Sequence, residues 1–281
     1  MITSTSNQQM KNLTLLMKKA KARNEQGVFV AEGRKMFLEA PVEWVKQVYV
    51  SESFYGTCTQ GNMQGCMESC TPKHGEEKLN RKVLERLNET GYEIVSDNVF
   101  KSVSDTQTPQ GILCLVRMPQ YPLSDLLRGN RTHLLIVESI QDPGNLGTML
   151  RTGEGAGITG IIMNRTTVDL FNPKTIRSTM GSIYRVPFFI TKDLAGTISS
   201  LKEQQVNVYA AHLKGTLSYD EPDYKKKTAF LIGNEGNGLS DEIADLADTY
   251  IKIPMQGQVE SLNAAISASL LMYETGRQRR H

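Results

Sequence analysis

The chain has 281 residues, 39% of them hydrophobic and 22% charged, which is enough apolar side chain for a core and too little charge bias for a disordered tail. A formal charge of +2, pI ≈ 8.2 and mean hydropathy of −0.34 leave out the strong basic balance of a dedicated nucleic-acid binder. No apolar run nears the ~20 residues of a bilayer span, and the Lys- and Asn-interrupted start lacks the apolar core of a secretory signal, so a cytoplasmic protein is expected.

Along the chain, residues 1–35 carry Lys11, Lys18, Lys19, Lys21, Arg23, Arg34 and Lys35 against only Glu25 and Glu32. That excess fits a solvated helix face or a contact with RNA phosphates, and the second reading nominates Lys18, Lys19, Arg23, Arg34 and Lys35. From 28 to 118 the pattern predicts strand VFVAEG, a short helix from Arg34, strand WVKQVYVS and a Gly/Met/Cys loop over 55–75. Helix EEKLNRKVLERLNET, strand YEIVS, helix NVFKSVSD and strand GILCLVRM follow. The stretch PQYPLSDLLRGNRT, with its prolines and polar residues, predicts a linker over 119–132.

From His133 onward, six short apolar runs (HLLIVES, GIIM, RVPFFI, NVYAAHL, TAFLIGN and TYIKIPM) alternate with helices expected near Asn145, Pro173, Asp193, Ser240 and Ser261. Such strands, each followed by a helix, imply a mostly parallel sheet covered on both faces. The expected class is therefore α/β in two units, 1–118 and 133–281.

Cys58, Cys66, Cys70 and His74 are spaced C-x7-C-x3-C-x3-H, without the close Cys pair of a structural zinc site, so no metal is expected. Cys114, inside GILCLVRM, reads as a buried strand residue.

Ligands of parallel α/β sheets bind beyond the carboxyl ends of the strands, and three loops there stand out. In ESIQDPGNLGTMLRTGEGAG, Pro143, Gly144 and Gly147 force a tight turn at a helix that carries Asn145 and Arg151. Arg151 can meet an anion; taken alone it better suits a surface ion pair with Glu154. In FLIGNEGNGLSDEI, Gly233, Gly236 and Gly238 surround one carboxylate, Glu235, ahead of a helix capped at Ser240. In YIKIPMQGQVESLNAAISASLLMYETGRQ, a polar loop precedes a helix for which Ser261 is the expected N-cap, with Asn263 able to serve likewise. The dinucleotide fingerprint, the phosphate-binding P-loop and the G-x-S-x-G elbow are all missing, which counts against dehydrogenase, nucleoside triphosphatase and hydrolase chemistry.

These loops, N-x-G-x-x-x-R-T at Asn145 to Thr152, I-G-N-E-G-x-G-L at Ile232 to Leu239 and I-P-M-x-G-x-V-x-S-L-N at Ile253 to Asn263, resemble in order and spacing the three motifs of SpoU (TrmH-like) RNA 2′-O-ribose methyltransferases of the SPOUT class. Residues 28–118, through VFVAEGRK and SDTQTPQGILCLVR, are similar to the L30e-like substrate-binding domain that often precedes them. The resemblance implies a trefoil knot in the C-terminal half, S-adenosylmethionine as cofactor, RNA as substrate and a homodimer whose site joins both protomers. It also implies catalytic roles for Arg151, Asn145, Glu235, Ser261 and Asn263. Gly233, Ile253 and Leu262 would contact the cofactor through their backbone, with Leu213, Asn234 and Met255 as pocket walls. Arg151 is expected to clamp a phosphate and stabilise the forming alkoxide, and Glu235 to hold Arg151 or Asn145. Ribosomal RNA is the expected substrate. Transfer RNA, methylation of a base, and a non-catalytic RNA-binding module with a degenerate knot are the alternatives.

Overall fold

A computed structural model describes residues 1–60 and 74–280, which fall into two units: Met1–Met118 with Phe171–Tyr184, and Pro119–Leu170 with Arg185–His281. The first unit opens with α1 (Gln8–Lys18) and α2 (Ala20–Gln26). It continues through β1 (Val28–Glu32), α3 (Arg34–Glu39), β2 (Val45–Ser51), α4 (Glu52–Gln60), α5 (His74–Thr90), β3 (Glu93–Val95), α6 (Asp97–Val103) and β4 (Ile112–Arg117). The sheet runs β1-β4-β2-β3, with β4 antiparallel to both β1 and β2 and with β3 parallel to β2. Met10, Leu13 and Leu16 of α1 share one helical stripe and close the core over Val30, Tyr49 and Leu113.

The loop expected over 55–75 begins as helix: Ser51 Oγ accepts from the Phe54 N–H and Asp97 from the Ser53 N–H, which starts α4 despite Gly56. Cys58 is buried in α4; Cys66 and Cys70 lie outside the described residues. Cys114 is wholly buried in β4, and burial pushes its thiol up to about 12.

The second unit contains β5 (His133–Val137), α7 (Pro143–Ala156), β6 (Gly160–Asn164), β7 (Phe188–Thr191), α9 (Leu194–Glu203) and β8 (Asn207–Ala211). The two-residue β9 (Leu217–Ser218), β10 (Thr228–Ile232), α10 (Asp241–Ala244), β11 (Thr249–Lys252) and α11 (Ala264–Gln278) complete it. Its seven strands are parallel, in the order β7-β6-β5-β10-β8-β11-β9. All five residues of β5 and of β10 are buried, as befits central strands covered on both faces. Leu134, Ile136 and Leu231 pack with Ile198 and Leu201 of α9 and Ile243 of α10, while α11 packs on β10 and α7.

The stretch predicted as a linker contributes to this core. Leu126 is fully buried, and a Cβ on Gly160 would lie 2.3 Å from its Cγ, so glycine starts β6. The helix expected at Pro173 is α8 (Pro173–Thr179), and its segment Phe171–Tyr184 packs with the first unit, Phe171 and Phe29 stacking at 5.1 Å. Among the described residues, no helix is long and apolar enough to cross a membrane.

Candidate active site

Strand order reverses between β5 and β10, which makes the crevice beyond their carboxyl ends the favoured ligand position. Their register pairs Ile232 with Val137, and the Glu138 N–H donates to the Ile232 carbonyl at 2.9 Å. The two following loops therefore leave the sheet side by side and exchange carboxylates. Glu235, from the β10 loop, accepts from the Gln141 and Asp142 N–H groups at 3.0 and 3.1 Å and from Asn145 Nδ2 at 2.9 Å. Glu138, from the β5 loop, accepts from the Ser240 N–H at 2.8 Å and its Oγ at 2.7 Å. Burial alone would raise the Glu235 carboxyl, but hydrogen bonds from Asn145 and the two amides outweigh it and hold the group below the usual carboxylate range. Glu235 is thus an ionised anchor with little basicity to offer as a proton acceptor.

The β10 loop folds back on itself. Asn234 and Gly238 exchange backbone hydrogen bonds at 3.0 and 2.9 Å, and Asn234 Oδ1 accepts from the Gly236 and Asn237 N–H groups. A Cβ on Gly233 would sit 2.1 Å from the Gly238 carbonyl carbon and the Leu239 nitrogen. Both are backbone atoms that cannot swing away, so this position admits only glycine.

The third loop reaches the same place. Asn263, not Ser261, caps α11: its Oδ1 accepts from the Ala265 and Ile266 N–H groups at 2.9 and 3.3 Å. With Oδ1 committed, Asn263 Nδ2 donates to Asn145 Oδ1 at 3.0 Å, and a directed chain runs from Asn263 through Asn145 to Glu235. The expectation that the helix starts at Ser261 is corrected by this geometry; Ser261 is exposed, two residues before the cap.

The family model of the SpoU rRNA methylases matches residues 132–273, and that of the MRM3-like substrate binding domain matches residues 7–114. The chain belongs to the SpoU rRNA methylase family. It is 35% identical over 187 residues to the 23S rRNA (guanosine(2553)-2′-O)-methyltransferase RlmP of Bacillus subtilis, a match covering 66% of this chain and 73% of that one. Over 281 residues it is 29% identical to the uncharacterized tRNA/rRNA methyltransferase slr1673 of Synechocystis, covering 99% and 94%. The AdoMet-bound rRNA methyltransferase of Sinorhizobium meliloti superposes with a TM-score of 0.77 at 29% identity, over 98% of this chain and 97% of that one.

In this SpoU chain the three motifs meet through Asn145, Glu235 and Asn263, while Arg151 stands apart. Six residues beyond Asn145 on α7, it lies ~9 Å along the axis and ~120° around the helix, and is exposed. Among the described residues its side chain makes no hydrogen bond or ion pair; Glu154, three residues on, binds Arg185. Glu235 accordingly holds Asn145 and not Arg151.

The cofactor candidates form an open rim. Leu213 is 72% exposed, Ile253, Met255 and Leu262 are half-buried, and among the described residues the backbone of 254–262 makes no hydrogen bond within the chain. Free amides and carbonyls beside half-exposed apolar side chains suit a ligand with both a polar heterocycle and an aliphatic arm, which S-adenosylmethionine has. The Asn234 side chain is spent on the Ser139 carbonyl and on its own loop.

Of the candidate RNA contacts, Lys18 and Lys19 are exposed, and Lys35 is exposed beside Glu39 at 3.6 Å. Arg23 is corrected: it is 2% exposed, its Nη1 donating to the Leu16 and Met17 carbonyls at the end of α1, so it completes a helix terminus instead of meeting phosphate. Arg34 is half-buried, stacked over Phe54 and bonded to Asn80. Sequence reasoning missed Glu138 and Asn164. Both stand at carboxyl ends of predicted strands, and that position was the available signal.

Proposed function

We propose that this chain transfers a methyl group from S-adenosylmethionine to a ribose 2′-hydroxyl of ribosomal RNA. The observation that carries the reading is the hydrogen-bonded convergence of Asn263, Asn145 and Glu235, one from each motif, at the switch point of a SpoU-family sheet. When bound, the cofactor supplies an electrophilic methyl on a sulfonium. The backbone around Gly233, Ile253 and Leu262 would grip its polar parts, with Leu213, Asn234 and Met255 walling its pocket. The Asn145–Asn263 pair fixes the two loops that orient donor and acceptor, and orientation supplies a large part of the rate. Arg151 holds a phosphate of the substrate and lowers the energy of negative charge growing on the 2′-oxygen as the hydroxyl proton passes to an oxygen of that phosphate. Ser261 offers its hydroxyl to the ribose.

Residues 1–118 present the RNA through Lys18, Lys19 and Lys35. The protein works as a cytoplasmic homodimer with its C-terminal part threaded as a trefoil knot. The 49% exposure of Ile266 and Tyr273 on α11 and the outward course of Arg151 support a second copy that completes the site. The test is incubation of the purified chain with labelled S-adenosylmethionine and either 23S rRNA or transfer RNA. Label should enter 23S rRNA and survive in alkali-resistant dinucleotides. Label in transfer RNA alone, on a base, or nowhere would defeat the reading.

A further inference from the structure

Among the described residues, Ser139 is one of three non-glycine residues with positive φ, at 56°. L residues avoid that region on steric grounds, so the surroundings must impose it, and such outliers gather at functional sites. Here the imposing group is Asn164, the last residue of β6. Its Oδ1 accepts from the Ser139 N–H at 2.9 Å, its Nδ2 donates to Ser139 Oγ at 3.1 Å, and Thr167 Oγ1 fixes it by donating to Oδ1 at 2.8 Å. Ser139 Oγ also shares a 2.6 Å hydrogen bond with Thr166 Oγ1. Turned in this way, the Ser139 carbonyl accepts from two side chains, Gln141 Nε2 and Asn234 Nδ2, both at 2.8 Å. Asn234 directly precedes Glu235, and the Gln141 N–H donates to Glu235.

We infer that Asn164 and Ser139 are positioning residues for methyl transfer. The carboxamide at the end of β6 sets the left-handed turn of Ser139, whose carbonyl pins Asn234 and Gln141 on either side of Glu235, and Glu235 in turn orients Asn145 and Asn263. The inference rests on the methyltransferase reading above. Neither residue reaches the reacting atoms; both act through Glu235.

Asn164→Ala removes both bonds to Ser139. On 23S rRNA, kcat should fall by about 10²-fold, the scale of a ~1 Å misplacement, with KM for RNA unchanged within about two-fold. Asn164→Asp retains an acceptor for the Ser139 N–H and gains a second oxygen for the Ser139 hydroxyl, so it should restore most of kcat. Tm measured alongside shows that each variant is folded.

A readout independent of turnover is the ¹H–¹⁵N shifts of the Gln141 and Asp142 amides, which donate to Glu235. They should move in Asn164→Ala and return in Asn164→Asp. If the wild-type chain methylates no RNA, the functional reading falls, and these shifts alone decide whether Asn164 positions Glu235. Unchanged kcat in Asn164→Ala, equal losses in the Ala and Asp variants, or unmoved amide shifts would each overturn the inference.

Discussion

In the loops after β5 and β10, Glu235 accepts three hydrogen bonds and Glu138 two, whereas in the loop after β11 the backbone of 254–262 makes none within the described chain. One side of the crevice is tied down by its own side chains; the other keeps its polar groups available. The first side can hold geometry during a reaction, and the second can adapt to what enters. A site that must orient a small nucleophile and also admit a large cofactor needs both properties.

The tied side should break most completely at Gly233. Gly233→Ala forces a Cβ to within 2.1 Å of backbone, so the β10 loop must open; calorimetric titration with S-adenosylmethionine should show no binding, and methyl transfer should vanish. Next in size is Arg151→Ala, which should lower kcat by about 10²- to 10³-fold while leaving cofactor Kd within a few-fold, because Arg151 belongs to neither the tied loops nor the open rim. A large loss of cofactor affinity would contradict the phosphate-clamp role.

Glu235→Gln sharpens the comparison through pH. Against the raising effect of burial, the hydrogen bonds hold the Glu235 carboxyl below the usual carboxylate range in the folded chain, so its contribution to stability is complete above the unfolded pKa and is lost as pH falls through the lowered one. The Tm difference between wild type and Glu235→Gln should stay constant from about pH 8 down to about pH 5 and shrink on further acidification. At α11, Asn263→Ala should cost about 1 kcal/mol of stability, as for a lost N-cap, together with part of kcat; Ser261→Ala should leave Tm unchanged. The smallest effects belong to the basic surface. Replacing Lys18 and Lys19 with Ala should reduce the salt slope of RNA affinity by about 1 to 2, while Arg23→Ala should lower Tm and leave that slope unchanged.

Most strands were legible because buried parallel strands read as short apolar runs, and HLLIV and TAFLI fall within one or two residues of the predicted stretches. The motif residues were legible as chemistry out of place in glycine-rich loops. Which of them would touch was not, because the pairing of Asn145 with Glu235 and Asn263 depends on strand order and register. Ser261 and Asn263 are both good caps by residue type, and only the course of the loop selects the second. Arg23 reads as surface charge in the sequence because composition does not tell which side of a helix end a guanidinium takes. Two-residue β9 offers no periodicity at all.

The return of Phe171–Tyr184 to the first unit sets an order of events during synthesis. The face of β1 that receives Phe171 and Tyr184 through Phe29 has no cover when residue 118 emerges, and must wait until Tyr184 has been made. At ~5–20 residues per second that wait lasts several seconds, during which an apolar surface is open to chaperones or to neighbouring nascent chains. A fragment that stops at 118 keeps that vulnerability permanently, so the N-terminal half is better produced together with the segment that closes it.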